Sequence, residues 1–114
     1  MPHFIIDCSE NVLKHQEPAS IIQCVFDEAN ATKLFKKGDI KVRIIPFQHF
    51  TVGGTQKDFI HIHAHIMSGR STEKKNDLAR RIITRLKEMF PYVAVISIDV
   101  RDIDKETYCN RTMV

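Results

Sequence analysis

Pro2 stands directly behind Met1 in the opening Met1-Pro2-His3-Phe4-Ile5-Ile6. Removal of Met1 leaves a free secondary amine at the head of an apolar, strand-like run. No other side chain or terminus offers such a group. An α-amine titrates near roughly 7.7–8.0, and burial or neighbouring cations lower that value. Such an amine can therefore serve as a neutral base near neutrality. Taken alone, Pro2 is equally an ordinary second residue. Gly69-Arg70-Ser71 sits where a helix should begin. Helix N-termini attract anions, and the planar fork of Arg70 suits a carboxylate. A solvent-facing turn arginine would have the same sequence. Lys41 and Arg43 fall on one face of a strand, where they either clamp a second carboxylate or form its wet side. His61, His63 and His65 occupy alternate positions of another strand, which puts their imidazoles on one side. With a third ligand such as His49 or Asp58 they would make a metal site. An exposed strand face tolerates histidine equally well, and the expectation is that no metal is bound.

These residues need elements to hold them. Residues 3–8 read as a first strand, broken by Ser9-Glu10-Asn11. From Pro18, the spacing of Ala19, Ile21, Ile22, Val25, Phe26 and Ala29 predicts a helix, with Gly38 a natural stop after it. Residues 39–45 alternate, with Ile40, Val42 and Ile44 inward, and Pro46 is expected to end or bend that strand. Val52-Gly53-Gly54-Thr55 is a turn that divides the chain nearly in half. Phe59 to Met67 keeps a strict two-residue beat. Ser71 is a good N-cap for a helix whose inner stripe is Leu78, Ala79, Ile82, Leu86 and Met89, closed by Pro91. Residues 92–101 form a fourth strand, and the tail from Asp102 is an arm or a short edge strand.

The order is β-α-β followed by β-α-β, which places the chain in the α+β class. Helix-length connections suit parallel pairing within each half and right-handed crossovers. The expectation is one four-stranded mixed sheet with both helices on one face. The other face needs a cover, and further copies of the chain are the obvious one. A single domain spanning 1–114 is expected, with pseudo-repeat halves at about 1–52 and 57–114.

The chain has 114 residues, 43% hydrophobic and 27% charged, with a net charge of +3. No apolar run approaches the roughly 20 residues of a membrane span, and no secretory signal pattern is present. A cytoplasmic location is expected, and three scattered cysteines fit reduced thiols. The basic set Lys74, Lys75, Arg80, Arg81, Arg85 and Lys87 reads as the wet side of one helix. A nucleic-acid module would want a clustered aromatic and basic strand face, which is missing.

Together these residues resemble the 5-carboxymethyl-2-hydroxymuconate Δ-isomerase family of the tautomerase superfamily. The likeness is carried by Pro2 to Asn11, by the Gly38–Arg43 strand, and by Phe59-Ile60-His61 leading to Gly69-Arg70-Ser71. The tail Asp104-Lys105-Glu106-Thr107-Tyr108 also looks like that family's C-terminal end. The resemblance implies a cofactor-free enzyme of aromatic breakdown, assembled as a homotrimer with its sheets inward. Its amino-terminal proline moves a proton within an unsaturated keto or enol dicarboxylate. Pro2 would be base and then acid, and Arg70 would hold a substrate carboxylate and polarise the adjacent carbonyl. The family's other active-site arginine aligns with Lys41, two positions before Arg43. Lysine keeps the charge but loses the bidentate fork, so either Lys41 or Arg43 is the second carboxylate ligand. Two alternatives stand beside this reading: a tautomerase-fold protein with another enol-acid substrate, and a non-catalytic oligomeric binding protein.

Overall fold

The computed structural model describes residues 1–114 in full. Its elements are β1 (His3–Ser9), α1 (Pro18–Ala31), β2 (Lys41–Phe47), β3 (Phe59–Met67), α2 (Thr72–Met89) and β4 (Val95–Ile103). Short 3-10 turns lie at Glu10–Lys14, Lys37–Asp39 and Arg111–Met113. The sheet order is β2-β1-β3-β4. Strands β1 and β2 pair in parallel, as do β3 and β4, and the two units join through antiparallel β1 and β3. The sheet is thus mixed, as two β-α-β units joined edge to edge require.

Alternation decides which face is covered. Phe4, Ile6 and Cys8 of β1 and Ile60, Ile62, Ala64 and Ile66 of β3 are fully buried. They form one cluster with Ile21, Cys24, Val25 and Ala29 of α1 and Leu78, Ile82 and Leu86 of α2. Both helices therefore cover the same face. Each fully buried Ile, Leu or Phe contributes about 1.5–3 kcal/mol relative to exposure. The opposite face carries His3, Ile5, Asp7, Lys41, Arg43, His61, His63, His65, Asp99 and Arg101 and has no second layer. At the Phe59 end of that face Ile45, Phe47 and Val95 stand exposed.

Some boundaries differ from the sequence expectation. Helix α1 ends at Ala31, well before Gly38. Thr32 Oγ1 donates to the Ala29 carbonyl, and Lys33 takes a left-handed φ of 62°. That conformation ends a helix, and it is usually given to glycine or asparagine rather than lysine. Gly38 lies instead in the 3-10 turn at Lys37–Asp39. Strand β2 runs to Phe47 and includes Pro46, which pairs with Cys8. It is an edge strand, where a residue without an N–H is tolerated toward solvent. The last strand starts at Val95 and runs to Ile103, so Asp102 belongs to it. The turn at Val52–Thr55 is present, with Gly53 and Gly54 both at positive φ.

Candidate active site

Strand β1 delivers the amino terminus to one end of the sheet. Pro2 is buried, and its carbonyl accepts a hydrogen bond from the Lys41 amide at 3.1 Å. That bond continues the β1–β2 ladder, in which His3 pairs with Lys41. The Met1 amine lies within the fields of Lys41, Arg70 and Asp39. Burial holds it below its ordinary value; Asp39 opposes that shift, while Lys41 and Arg70 add to it. The Pro2 nitrogen is bonded to Met1 here and becomes an amine only when Met1 is gone.

Arg70 reaches this end from the turn before α2. Gly69 adopts φ +116°, which the turn requires and an L side chain rarely adopts. Ser71 then caps α2, its Oγ accepting from the Lys74 amide at 3.2 Å. The Arg70 guanidinium donates to the Met67 carbonyl at 3.1 Å and to the Leu34 carbonyl at 2.6 Å. It lies over the Phe35 ring, 5.3 Å from the centroid. Phe35 in turn packs edge-on against Phe4, with centroids 6.2 Å apart. The head group is held on three sides, and no carboxylate neutralises it. Lys41 Nζ donates to the Asp39 carbonyl and is likewise in no ion pair.

Of the expected residues, the structure thus brings Pro2, Lys41 and Arg70 to one place. Arg43 lies beside them against His3, but it is not among the groups that shift the terminal amine. It pairs with Ile5, and its Nη1 donates to His3 Nδ1 at 3.2 Å. Burial, and then Lys41 and Arg43, hold the His3 imidazole below its ordinary value. Phe35, the Leu34 carbonyl and Asp39 are parts of the site that the sequence did not single out. Lys105 lies against the turn that carries Arg70, where its Nζ would stand 3.1 Å from a Cβ placed on Gly69. The wider surface hollows lie elsewhere, and none is lined by Pro2, Lys41 or Arg70.

The other groups fall into structural places. Asp58 accepts from Ser9 Oγ at 2.8 Å and from Asn11 Nδ2 at 2.9 Å, tying the start of β3 to the end of β1. It is not a partner of the strand histidines, and neither is the exposed His49. The basic side of α2 is solvated and partly paired, Arg85 with Glu28 and Arg81 with Asp77. All three cysteines are free, and burial pushes the Cys8 thiol up to about 11, which keeps it inert.

The chain has recognisable relatives. The 5-carboxymethyl-2-hydroxymuconate Delta-isomerase of Escherichia coli is 26% identical over 92 residues, 79% of this chain and 73% of that one. A 5-carboxymethyl-2-hydroxymuconate isomerase from Deinococcus radiodurans R1 superposes with a TM-score of 0.84 at 18% identity, covering 96% of this chain and 88% of that one. A fused 4-OT wild-type symmetric trimer superposes with a TM-score of 0.81 at 15% identity, covering 96% and 93%. The two structures share the fold, a four-stranded mixed sheet backed by two helices. The sequence profile of 5-carboxymethyl-2-hydroxymuconate isomerases matches residues 2–113, from the proline behind Met1 almost to the last residue. The chain belongs to the 5-carboxymethyl-2-hydroxymuconate isomerase family, which supports an isomerase role.

Proposed function

We propose that this chain is a cofactor-independent isomerase of unsaturated keto or enol acids with two or more carboxylates, such as 5-carboxymethyl-2-hydroxymuconate, acting in aromatic breakdown. Pro2 is the base and then the acid, once Met1 has been removed. The observation that carries the reading is the meeting of the amino terminus with two cations, Lys41 and Arg70, that no carboxylate satisfies. Burial first, and then these cations against the pull of Asp39, disfavour a protonated amine at this end, and the cations attract an acid substrate. The neutral nitrogen takes a proton from the enol oxygen, or from a carbon in the keto form, and returns it at another carbon. Between the two transfers a dienolate carries negative charge on oxygen. Arg70, fixed by two backbone carbonyls and the Phe35 ring, has the rest of its fork available for the substrate carboxylate and the adjacent oxygen. Lys41 takes the second carboxylate as a point charge. No cofactor enters these steps.

The partner of this site is a small acid rather than a nucleic acid or a membrane. In this reading the working form is a homotrimer. The fused 4-OT relative is a symmetric trimer. Here the face opposite the helices leaves Ile45 43%, Phe47 36% and Val95 38% exposed, which copies of the chain would cover.

Intact mass measured beside turnover of 5-carboxymethyl-2-hydroxymuconate and a panel of enol acids tests the proposal. The processed chain should lack Met1 and turn over 5-carboxymethyl-2-hydroxymuconate. Pro2→Ala, or one extra amino-terminal residue, should abolish turnover. Full activity with Met1 retained would sink the mechanism. A second reading is favoured by the lysine at position 41: a tautomerase with another enol acid as substrate, since an ammonium lacks the two-pronged geometry of arginine. The same panel separates the two.

A further inference from the structure

The face of the sheet away from the helices carries a second constellation. His61 and His63 on β3 and Asp99 on β4 offer one ligand atom each, all within 4.8 Å of one another. The β3–β4 register explains it, because His63 pairs with Asp99 and His61 with Ser97. We propose that His61, His63 and Asp99 form a binding site for a divalent transition metal of the Zn²⁺ class.

Hydrogen bonds to neighbouring side chains hold these groups in place. His61 Nε2 faces Asp99 Oδ1 at 2.9 Å, while its far nitrogen Nδ1 is held by Ser97 Oγ at 2.7 Å. His63 Nδ1 faces the same Asp99 oxygen at 3.6 Å, while its far nitrogen Nε2 donates to Asp7 Oδ2 at 3.1 Å. Asp99 Oδ2 accepts from Arg101 Nε. Each of the three groups thus turns one atom toward a common point and has its other atom fixed by a neighbour. Metal-bound imidazoles are oriented in this way, through the N–H of the nitrogen that does not bind. A metal there would take the place of the His61 Nε2–H that now donates to Asp99 Oδ1, leaving Nδ1–H to donate to Ser97 Oγ. Two imidazoles and one carboxylate favour zinc and its neighbours over magnesium or calcium. Three protein ligands leave a position for water, as in open zinc sites. In the single chain the three side chains are 31%, 37% and 34% exposed. His65, with its ring centroid 6.5 Å from that of His63, lies outside the group.

The site is independent of the proposed proton transfer. His63 pairs with Ile5, three residues along β1 from Pro2, or about 10 Å at 3.3 Å per residue.

The full chain, stripped with a chelator, is titrated with ZnCl₂ by calorimetry and with CoCl₂ by visible absorption. One zinc per chain is expected, with the strong visible bands of cobalt in a four- or five-coordinate site. His61→Asn, His63→Gln and Asp99→Asn should each weaken zinc binding at least about tenfold, and Asp7→Asn about 10–100-fold through loss of orientation. His65→Gln and Pro2→Ala should leave it unchanged, so this site and the isomerase reading fail separately. Circular dichroism reports folding, and a variant that does not fold is replaced in the comparison by the other two. Absence of stoichiometric zinc overturns the proposal, and so does zinc binding that survives loss of His61 or His63.

Discussion

Arg70 and Arg43 are both arginines near the amino terminus, yet their surroundings give them different work. Arg70 is braced by the Met67 and Leu34 carbonyls and by the Phe35 face, and it contributes to lowering the terminal amine. Arg70→Ala should therefore cost about 10²–10³ in kcat/KM, the usual effect of losing one oxyanion partner. It should also move the acid limb of the pH–rate profile to higher pH, because removing a cation raises the pKa of Pro2. An unshifted limb would separate Arg70 from the base. Arg43→Ala should change kcat/KM by less than about threefold, and its effect should appear at His3 instead. Arginine can only donate, so His3 Nδ1 is the acceptor in their 3.2 Å contact and the neutral ring is favoured. The His3 ring should titrate below its ordinary value in an NMR titration, and Arg43→Ala should move it upward. A depressed histidine binds fewer protons folded than unfolded. Its contribution to stability is thus present above the unfolded value near 6.5 and is lost as pH falls through the lower folded value. The depressed carboxyl of Asp99, held down first by its hydrogen bond from Arg101, acts in the same direction at more acid pH.

The elements differ in how far their sequence declares them. Strand β3 is legible at both ends because Phe59 to Met67 alternates without exception between core and open face. Strand β2 is legible only as a strand, since its edge position lets it run through Pro46. The end of α1 depends on a lysine in a left-handed conformation, which no residue pattern announces. The same holds for the site. Pro2 and Arg70 stand out as candidates because one heads a strand and the other opens a helix, but their roles come from the family resemblance. Phe35 and the Leu34 carbonyl lie in an aperiodic loop that only the folded chain brings under Arg70. Asp99 becomes a partner of His61 and His63 only through the register of β3 against β4. Where an element bears directly on the site, the turn before α2 is the tightest point. Gly69→Ala would put a side chain at φ +116° with its Cβ 3.1 Å from Lys105 Nζ. The lysine end can move, but the backbone conformation remains strained at a cost of about 1–3 kcal/mol. A lowered melting temperature together with a raised KM is expected, because the strained turn carries Arg70. Wild-type stability in that variant would show that the turn tolerates an L residue.

At the scale of the whole molecule, two helices cover one face of the sheet and nothing in a single chain covers the other. That face is polar along β1 and β3, where Asp7, His61 and His63 meet Asp99, and apolar toward Ile45, Phe47 and Val95. Both β2 and β4 are edge strands, and an open edge beside exposed apolar side chains is a surface that proteins usually cover. If copies of the chain cover it, light scattering should give about three times the 13.2 kDa of one chain. Ile45→Asp puts a charge among the exposed apolar groups without touching the buried cluster of seventeen. It should leave the circular dichroism intact while reducing the mass to that of one chain. Turnover should fall with the mass, because the hollows of the single chain do not include Pro2, Lys41 or Arg70. A neighbouring copy would then supply the wall that holds substrate against Pro2. A folded, single-chain Ile45→Asp variant with undiminished turnover would show that one chain completes its own active site.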